Sequence, residues 1–409
     1  REALLYQFHD ILPGSSIKRV YDESLARYRA LLDEATDQIR QNQQRIAQRV
    51  DTRGMAKPIV AFNSLSWTRT EWAQIDGHWL RVTAPPLGYA AIDAATAPAT
   101  VDTISATATS LENDVLRVHF GNDGGIISLY DKRLGREMIS AGEAANRLTV
   151  YRDFGDAWDF PMDYAEQTPR FMTLVAATAR IDGPHAIMTQ VYRLGYSELV
   201  QEIVLTAGSA RLDFVSRLRW REPQTMLRAS FPVAAYAEDA AFEIQFGHIR
   251  RPTHRNTTWD LARDEVAAHK WVDLSQRDYG VALLNDCKYG HKVKGHVIDL
   301  NLLRSVPYPG PRLVEDADVA PGEPHHAYTD QCDHFFTYAL YPHPGDAIAG
   351  GVVQAGYELN VPLRVLATDA HAGDLPATAS FLTVDAPNVV VETVKQAEDG
   401  DGVIVRLYE

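Results

Sequence analysis

Cysteine is scarce in this 409-residue sequence, where Cys287 and Cys332 stand far apart. Two isolated thiols make no disulfide framework, and they fit a reducing compartment, the cytoplasm being the expected one. Long apolar runs are missing too. None approaches the roughly 18 residues of a membrane-spanning helix, so no membrane partner is expected. Positive charge is in deficit, with 40 Lys and Arg against 54 Asp and Glu and a net charge of −14. That balance provides no electrostatic footprint for nucleic acid. Also absent are a CxxC pair, an HExxH helix, a phosphate-binding loop, a nucleophile elbow and a GxGxxG turn before a helix. These absences remove the commonest metalloprotease, nucleotide-binding and serine-hydrolase readings. No initiator Met opens the chain. It starts at Arg1 inside a helical pattern and stops just after a strand-like run, Val403–Leu407, so both ends read as cut from something longer.

What is present is the composition of an ordinary globular protein, 45% hydrophobic and 23% charged, long enough for two or three cored domains. The first fifty residues are helical in pattern. A short helix is expected to run to about Leu12, where Pro13-Gly14 breaks it. Ser15 or Ser16 then caps a long second helix. Along that helix Ile17, Tyr21, Leu25, Tyr28, Leu32, Ala35 and Ile39 recur four and three residues apart, a seam for packing in a bundle. Asp51–Lys57 reads as a linker. From Pro58 onward short alternating runs are separated by Gly, Pro, Asn and Asp. In Leu116–Phe120 every second residue is apolar, and Asn122-Asp123-Gly124-Gly125 supplies a hairpin turn into Ile126–Tyr130. Similar runs recur at Leu199–Leu205, Leu212–Trp220, Val281–Leu284, Val297–Leu303, Phe335–Tyr341 and Val389–Val394. Pro307–Pro324 reads as a long ordered loop. The expected fold is mainly β, with a partial helical bundle at residues 1–57, a small β domain at 58–110 and stacked antiparallel β-sandwiches over 111–409.

Three clusters could carry chemistry. In Gln7–Ile17, His9 and Asp10 fall at the expected last turn of the first helix, where the helix dipole favours a cation. Imidazole is a good zinc ligand and the neighbouring carboxylate could orient it or bind a hydroxyl, although such pairs commonly only cap helices. In Asp153–Asp163 four carboxylates surround Trp158, either as a sugar platform or as a solvated acidic loop. His325, His326, Asp330, Cys332, Asp333 and His334 are dense in metal-binding types, but their spacing matches no common zinc pattern. His334 leads into a strand and reads as a loop brace.

The run Gln7–Ile17 closely resembles the signature of glycoside hydrolase family 38, the class II α-mannosidases, and the resemblance points to the C-terminal part of a bacterial-type enzyme. Pro58–Trp67, Leu111–Arg117 and Ser128–Lys132 resemble the family's first β domain. Pro252–Thr257, His269–Ser275, Gly280–Gly290 and Phe336–His343 resemble its later one. The resemblance implies that His9 is the last of four Zn²⁺ ligands, that Asp10 reaches the bound sugar, and that Trp158 borders the site. It implies no metal at the histidine-rich cluster, where Cys332 replaces the family's usual glycine. Tyr151–Gly155 departs from the family's wording, which leaves the contacts of Asp156 and Asp159 open. The intact enzyme would carry an upstream barrel with both catalytic aspartates and the other three zinc ligands, and would hydrolyse terminal α-linked mannose of an oligosaccharide with retention. No catalytic residue is then expected in this segment, which alone should be inactive and hold zinc poorly. Assembly into a homo-oligomer is compatible with the sequence. The competing reading is a stand-alone, non-catalytic carbohydrate-binding β-sandwich, against which the helical seam argues because it would face water. A related enzyme acting on another hexose is a further alternative.

Overall fold

The computed structural model describes residues 1–96, 104–310 and 319–409. Helices are few and strands dominate, in antiparallel sheets. The protein is therefore mainly β with a helical N-terminus, as expected. The chain forms two compact units. One holds the described residues of Arg1–Leu31, Asp102–Glu243 and Ile249–Gly356; the other holds those of Leu32–Val101, Ile244–His248 and Tyr357–Glu409.

In the first unit the largest sheet among the described residues has nine strands. Their order is Thr173–Asp182, His185–Leu194, Ser197–Thr206, Leu212–Arg219, Asp333–Pro344, Tyr279–Asn285, Trp271–Ser275, Asp239–Ile244 and Gly247–Pro252. Strand Ser197–Thr206 alternates buried and half-buried residues along its whole length, which is what a strand with one face on a core requires. A second sheet contains Arg147–Arg152, Thr225–Pro232 and Val297–Arg304 as neighbours. Leu148, Val150, Leu227, Phe231, Ile298 and Leu300 from that sheet share one apolar cluster with Met188, Leu199, Phe214 and Leu340 from the first. Face-to-face burial of this kind makes a sandwich. The expected hairpin is present: Leu116–Phe120 pairs with Ile126–Asp131, with a bulge at His119/Phe120. Gly124 turns it at φ +85°, a conformation that costs a glycine little. Three polar groups cross the core without loss. The Asn146 amide donates to Gln201 Oε1 at 2.7 Å, Gln201 donates to Tyr338 Oη at 2.9 Å, and Tyr338 donates to Asn146 Oδ1 at 2.6 Å.

The Arg228 side chain is wholly buried on this second sheet, held by Glu265 and by Asp299 at 2.6 Å. Removing the guanidinium leaves two carboxylates without their counter-ion in a poorly solvated place. Arg228→Met is expected to lower stability by about 3–5 kcal/mol, the usual cost of breaking a buried ion pair. A urea midpoint unchanged from wild type would show that the cluster is solvated instead.

In the second unit Pro58–Asn63 and Gly88–Asp93 lie between Arg364–Ala367 and Thr378–Ser380 in a four-stranded sheet. Ile59, Ala61, Leu80, Val82 and Ala84 form its core. The segment read as a linker is tied down. Thr52 is fully buried, the Asp51 N–H donates to the Leu375 carbonyl at 2.9 Å, and the Thr52 N–H donates to the His371 carbonyl at 3.0 Å.

The helical start also differs from the expectation. The first helix, α1, is only Glu2–Leu5, and the second, α2, runs Lys18–Ala47. Residues between them fold as successive turns, with N–H bonds from Gln7 to Leu4, Phe8 to Leu5 and Ile11 to Phe8. His9 and Asp10 therefore do not end a helix. The hydroxyls of Ser15 and Ser16 donate to the Asp10 carbonyl at 3.4 and 2.8 Å instead of capping α2, which ties the turn down after it has left the helix. The seam on α2 is as spaced, and Leu25, Leu32 and Ile39 on it are exposed. Of the Pro307–Pro324 loop, residues 311–318 lie outside the described residues. Among the described residues no helix is long and apolar enough to cross a membrane.

Candidate functional site

The turn that carries His9 and Asp10 is built around one backbone oxygen. Besides the two serines, the Tyr21 hydroxyl lies 3.2 Å from the Asp10 carbonyl and 3.1 Å from that of Ile11, and it accepts the Ser16 N–H at 3.1 Å. Gly14, at φ +86°, lets the chain reverse between these groups. A side chain from α2 thus fixes the direction in which residues 9 and 10 leave the backbone. Both side chains are open to solvent, 77% and 50% exposed, with His9 Nε2 3.5 Å from Asp10 Oδ2. The Phe8 ring lies 4.3 Å from the imidazole. An imidazole presented in this way is available to a ligand rather than consumed by the fold.

Beside this turn lies a cavity of about 430 Å³. Its walls include Pro13 and Gly14 from the turn, Tyr21 from α2, Ala157, Arg304 and Tyr308. Residues 13 and 157, far apart in sequence, therefore share one wall, and His326, Asp330 and Cys332 of the histidine-rich cluster line it too, so segments of all three sequence clusters meet here. His9, Asp10 and Trp158 flank these wall residues in the chain without themselves lining the cavity. Tyr21 and Tyr308 meet at 5.9 Å between ring centres. Burial raises the Tyr21 phenol above its ordinary pKa, and the charges of Asp10 and Asp330 add to the effect.

The Asp153–Asp163 loop divides its carboxylates between structure and solvent. Asp153 is fully buried and paired with Arg304 at 2.6 Å. Asp156 accepts the N–H groups of Trp158 and Asp159, both at 2.8 Å, and these bonds hold its carboxyl below the usual range. Asp156 is therefore a loop-former and a poor proton acceptor. Asp159 and Asp163 are exposed, and the Trp158 ring, 64% exposed, has a free face. Tyr164 closes the loop, buried between Tyr151 and the cations of Arg228 and Lys292.

The histidine-rich cluster is arranged for bracing. His334 Nε2 sits 2.8 Å from the Asp330 carbonyl and 3.6 Å from Cys332 Sγ. Although Cys332 is exposed, partial desolvation and the charges of Asp330 and Asp333 push its thiol up, away from the thiolate a metal needs. Among the described residues no three His, Cys, Asp or Glu side chains are grouped to hold a metal. Exposed His9 fits zinc by donor type, but one imidazole is one arm of a tetrahedral set. Sequence reading missed Tyr21, Tyr308 and Arg304 as wall residues. Tyr21 was visible only as a seam position, and nothing local marks Arg304, the last residue of an ordinary strand.

Comparison with known proteins agrees along the whole chain. Residues 1–46 match the alpha mannosidase middle domain, 111–312 the glycosyl hydrolases family 38 C-terminal domain, and 388–409 the family 38 C-terminal beta sandwich domain. The chain is 35% identical to Alpha-mannosidase 2C1 of Homo sapiens over 435 residues, covering 100% of this chain and 39% of that protein. It is 31% identical to Alpha-mannosidase G of Dictyostelium discoideum over 477 residues, covering 100% of this chain and 42% of that one. The chain thus spans about two fifths of the length of these relatives. An alpha-mannosidase from Enterococcus faecalis V583 superposes with a TM-score of 0.82 over 99% of this chain and 57% of its own, at 15% identity, a likeness of fold.

Proposed function

Because this chain belongs to glycosyl hydrolase family 38, we propose that it forms the C-terminal portion of a zinc-dependent retaining α-mannosidase acting on terminal α-linked mannose of an oligosaccharide. The observation that carries this reading is the shared cavity wall, where the His9–Asp10 turn and the Trp158 loop meet. His9 would supply one zinc ligand, its direction set by the hydroxyls on the Asp10 carbonyl. Zinc, when bound, would grip neighbouring hydroxyls of the sugar and favour its distortion. The Asp10 carboxylate, half-exposed beside the imidazole, accepts a sugar hydroxyl, and the free face of Trp158 stacks on the ring. Retention requires two carboxylates about 5 Å apart across the bond, and these, with the remaining zinc ligands, come from protein outside this chain.

The reading is tested by Trp158→Ala in the full-length enzyme. Loss of a stacked aromatic face is expected to cost on the order of 1 kcal/mol, a several-fold rise in KM with little change in kcat. Unaltered kcat and KM would remove Trp158 from the sugar site.

A further inference from the structure

We infer that Arg304 is the positioning residue for the sugar-stacking loop, acting through Asp153 and the Asp159 carbonyl; the inference rests on Trp158 bordering the sugar. Arg304 ends strand Val297–Arg304 and lines the cavity. Its guanidinium spans the base of the loop. Nε donates to Asp153 Oδ2 at 2.6 Å, while Nη2 donates to Asp153 Oδ1 at 3.0 Å and to the Asp159 carbonyl at 3.1 Å. The Cζ of the same group lies over the Phe160 ring, 4.8 Å from its centre. One side chain therefore grips the loop before and after Trp158.

The rest of the loop is shaped to receive this grip. Asp153 is wholly buried, its N–H donates to the Gln224 carbonyl at 2.8 Å, and its Oδ1 also takes the Gly155 N–H at 3.1 Å. A Cβ at Gly155 would stand 2.2 Å from the Asp159 carbonyl oxygen and 2.9 Å from Arg304 Nη2, so only glycine leaves room for the closure. Asp156 then fixes the N–H groups of Trp158 and Asp159. The indole itself has no such packing and is largely exposed. Its aim is set by the backbone beneath it, and that backbone is held by the Arg304 fork. A lysine in its place keeps the charge but cannot bond two carboxylate oxygens and a carbonyl in one plane.

The test uses the full-length enzyme with Arg304→Met, Arg304→Lys and Asp153→Asn, each with and without Trp158→Ala. Arg304→Met is expected to raise KM for an α-mannoside about as much as Trp158→Ala does, several-fold up to about tenfold. The double variant should then be no worse than the poorer single one, because both remove the same stacking. Amide hydrogen exchange is read in parallel, with expected acceleration confined to residues 153–161, fully in Arg304→Met and partly in Arg304→Lys. Losses that add in the double variant, or exchange in 153–161 unchanged from wild type, overturn the inference. Should Arg304→Met unfold, Asp153→Asn carries the same two readouts with the arginine in place. A silent Trp158→Ala with accelerated exchange in the arginine variants rejects the stacking reading while leaving the loop clamp supported.

Discussion

Replacing His9 with alanine in the full-length enzyme is expected to abolish zinc binding and mannosidase activity together. The side chain is exposed and bonded to nothing the fold depends on, so the substitution should leave folding intact. Even partners that merely orient a metal ligand are worth about 10–100-fold in metal affinity or activity, so loss of a ligand should cost at least about 100-fold. Asp10→Asn should behave differently, retaining zinc while weakening the sugar, because it keeps the shape and loses the charged acceptor. Zinc content by elemental analysis and turnover of p-nitrophenyl-α-mannoside measure the two effects separately. Stoichiometric zinc and wild-type turnover in His9→Ala would falsify the assignment of this residue to the metal.

The 409-residue chain on its own is expected to show no mannoside hydrolysis above the uncatalysed rate, a deficit of at least about 10⁶-fold against a working glycosidase. The two carboxylates seen on the cavity wall are poor substitutes for a catalytic pair. Asp22 is engaged by Lys18 at 2.6 Å, and Asp330, the other carboxylate of the wall, does not make a pair by itself. Asp156 accepts two backbone N–H groups at Oδ1, which hold its carboxyl below the usual range. Zinc added to the same chain should bind weakly, since a lone imidazole competes poorly with water and buffer. Turnover of p-nitrophenyl-α-mannoside by the purified chain would mean that a catalytic pair is present in it. If the chain instead binds mannosides tightly without hydrolysis, the carbohydrate-binding reading takes precedence.

Local patterning was enough for much of this architecture because the forces involved are local. Alternation of apolar residues in Leu116–Phe120 demands a half-buried strand, and the glycine at 124 supplies a turn that other residues resist. The same holds for the long helix, whose 4-3 positions from Tyr21 to Ile39 fall inside Lys18–Ala47, with Ile17 just before it. It failed at the helix before it, where the chain leaves the helix at Leu5 for successive turns held at the Asp10 carbonyl by hydroxyls from Ser15, Ser16 and Tyr21. Asp51–Lys57 does connect the long helix to the first strand as read, but its polar, glycine-containing wording gives no sign of the backbone bonds that tie it to Leu375 and His371.

By itself the sequence determined the mainly β character, the helical start, the family, and His9, Asp10 and Trp158 as the residues to examine, because periodicity and motif are properties of neighbouring residues. Tertiary structure alone decided three other matters. It put residues 13 and 157 on one cavity wall, assigned Asp153 and Asp156 to the loop's own support, and joined Arg304 to that loop. The shared wall and the Asp153–Arg304 pair join residues far apart in the chain, and sequence spacing carries no record of such meetings. The bonds of Asp156 are local, but only the folded loop shows that its carboxylate is turned back onto its own backbone.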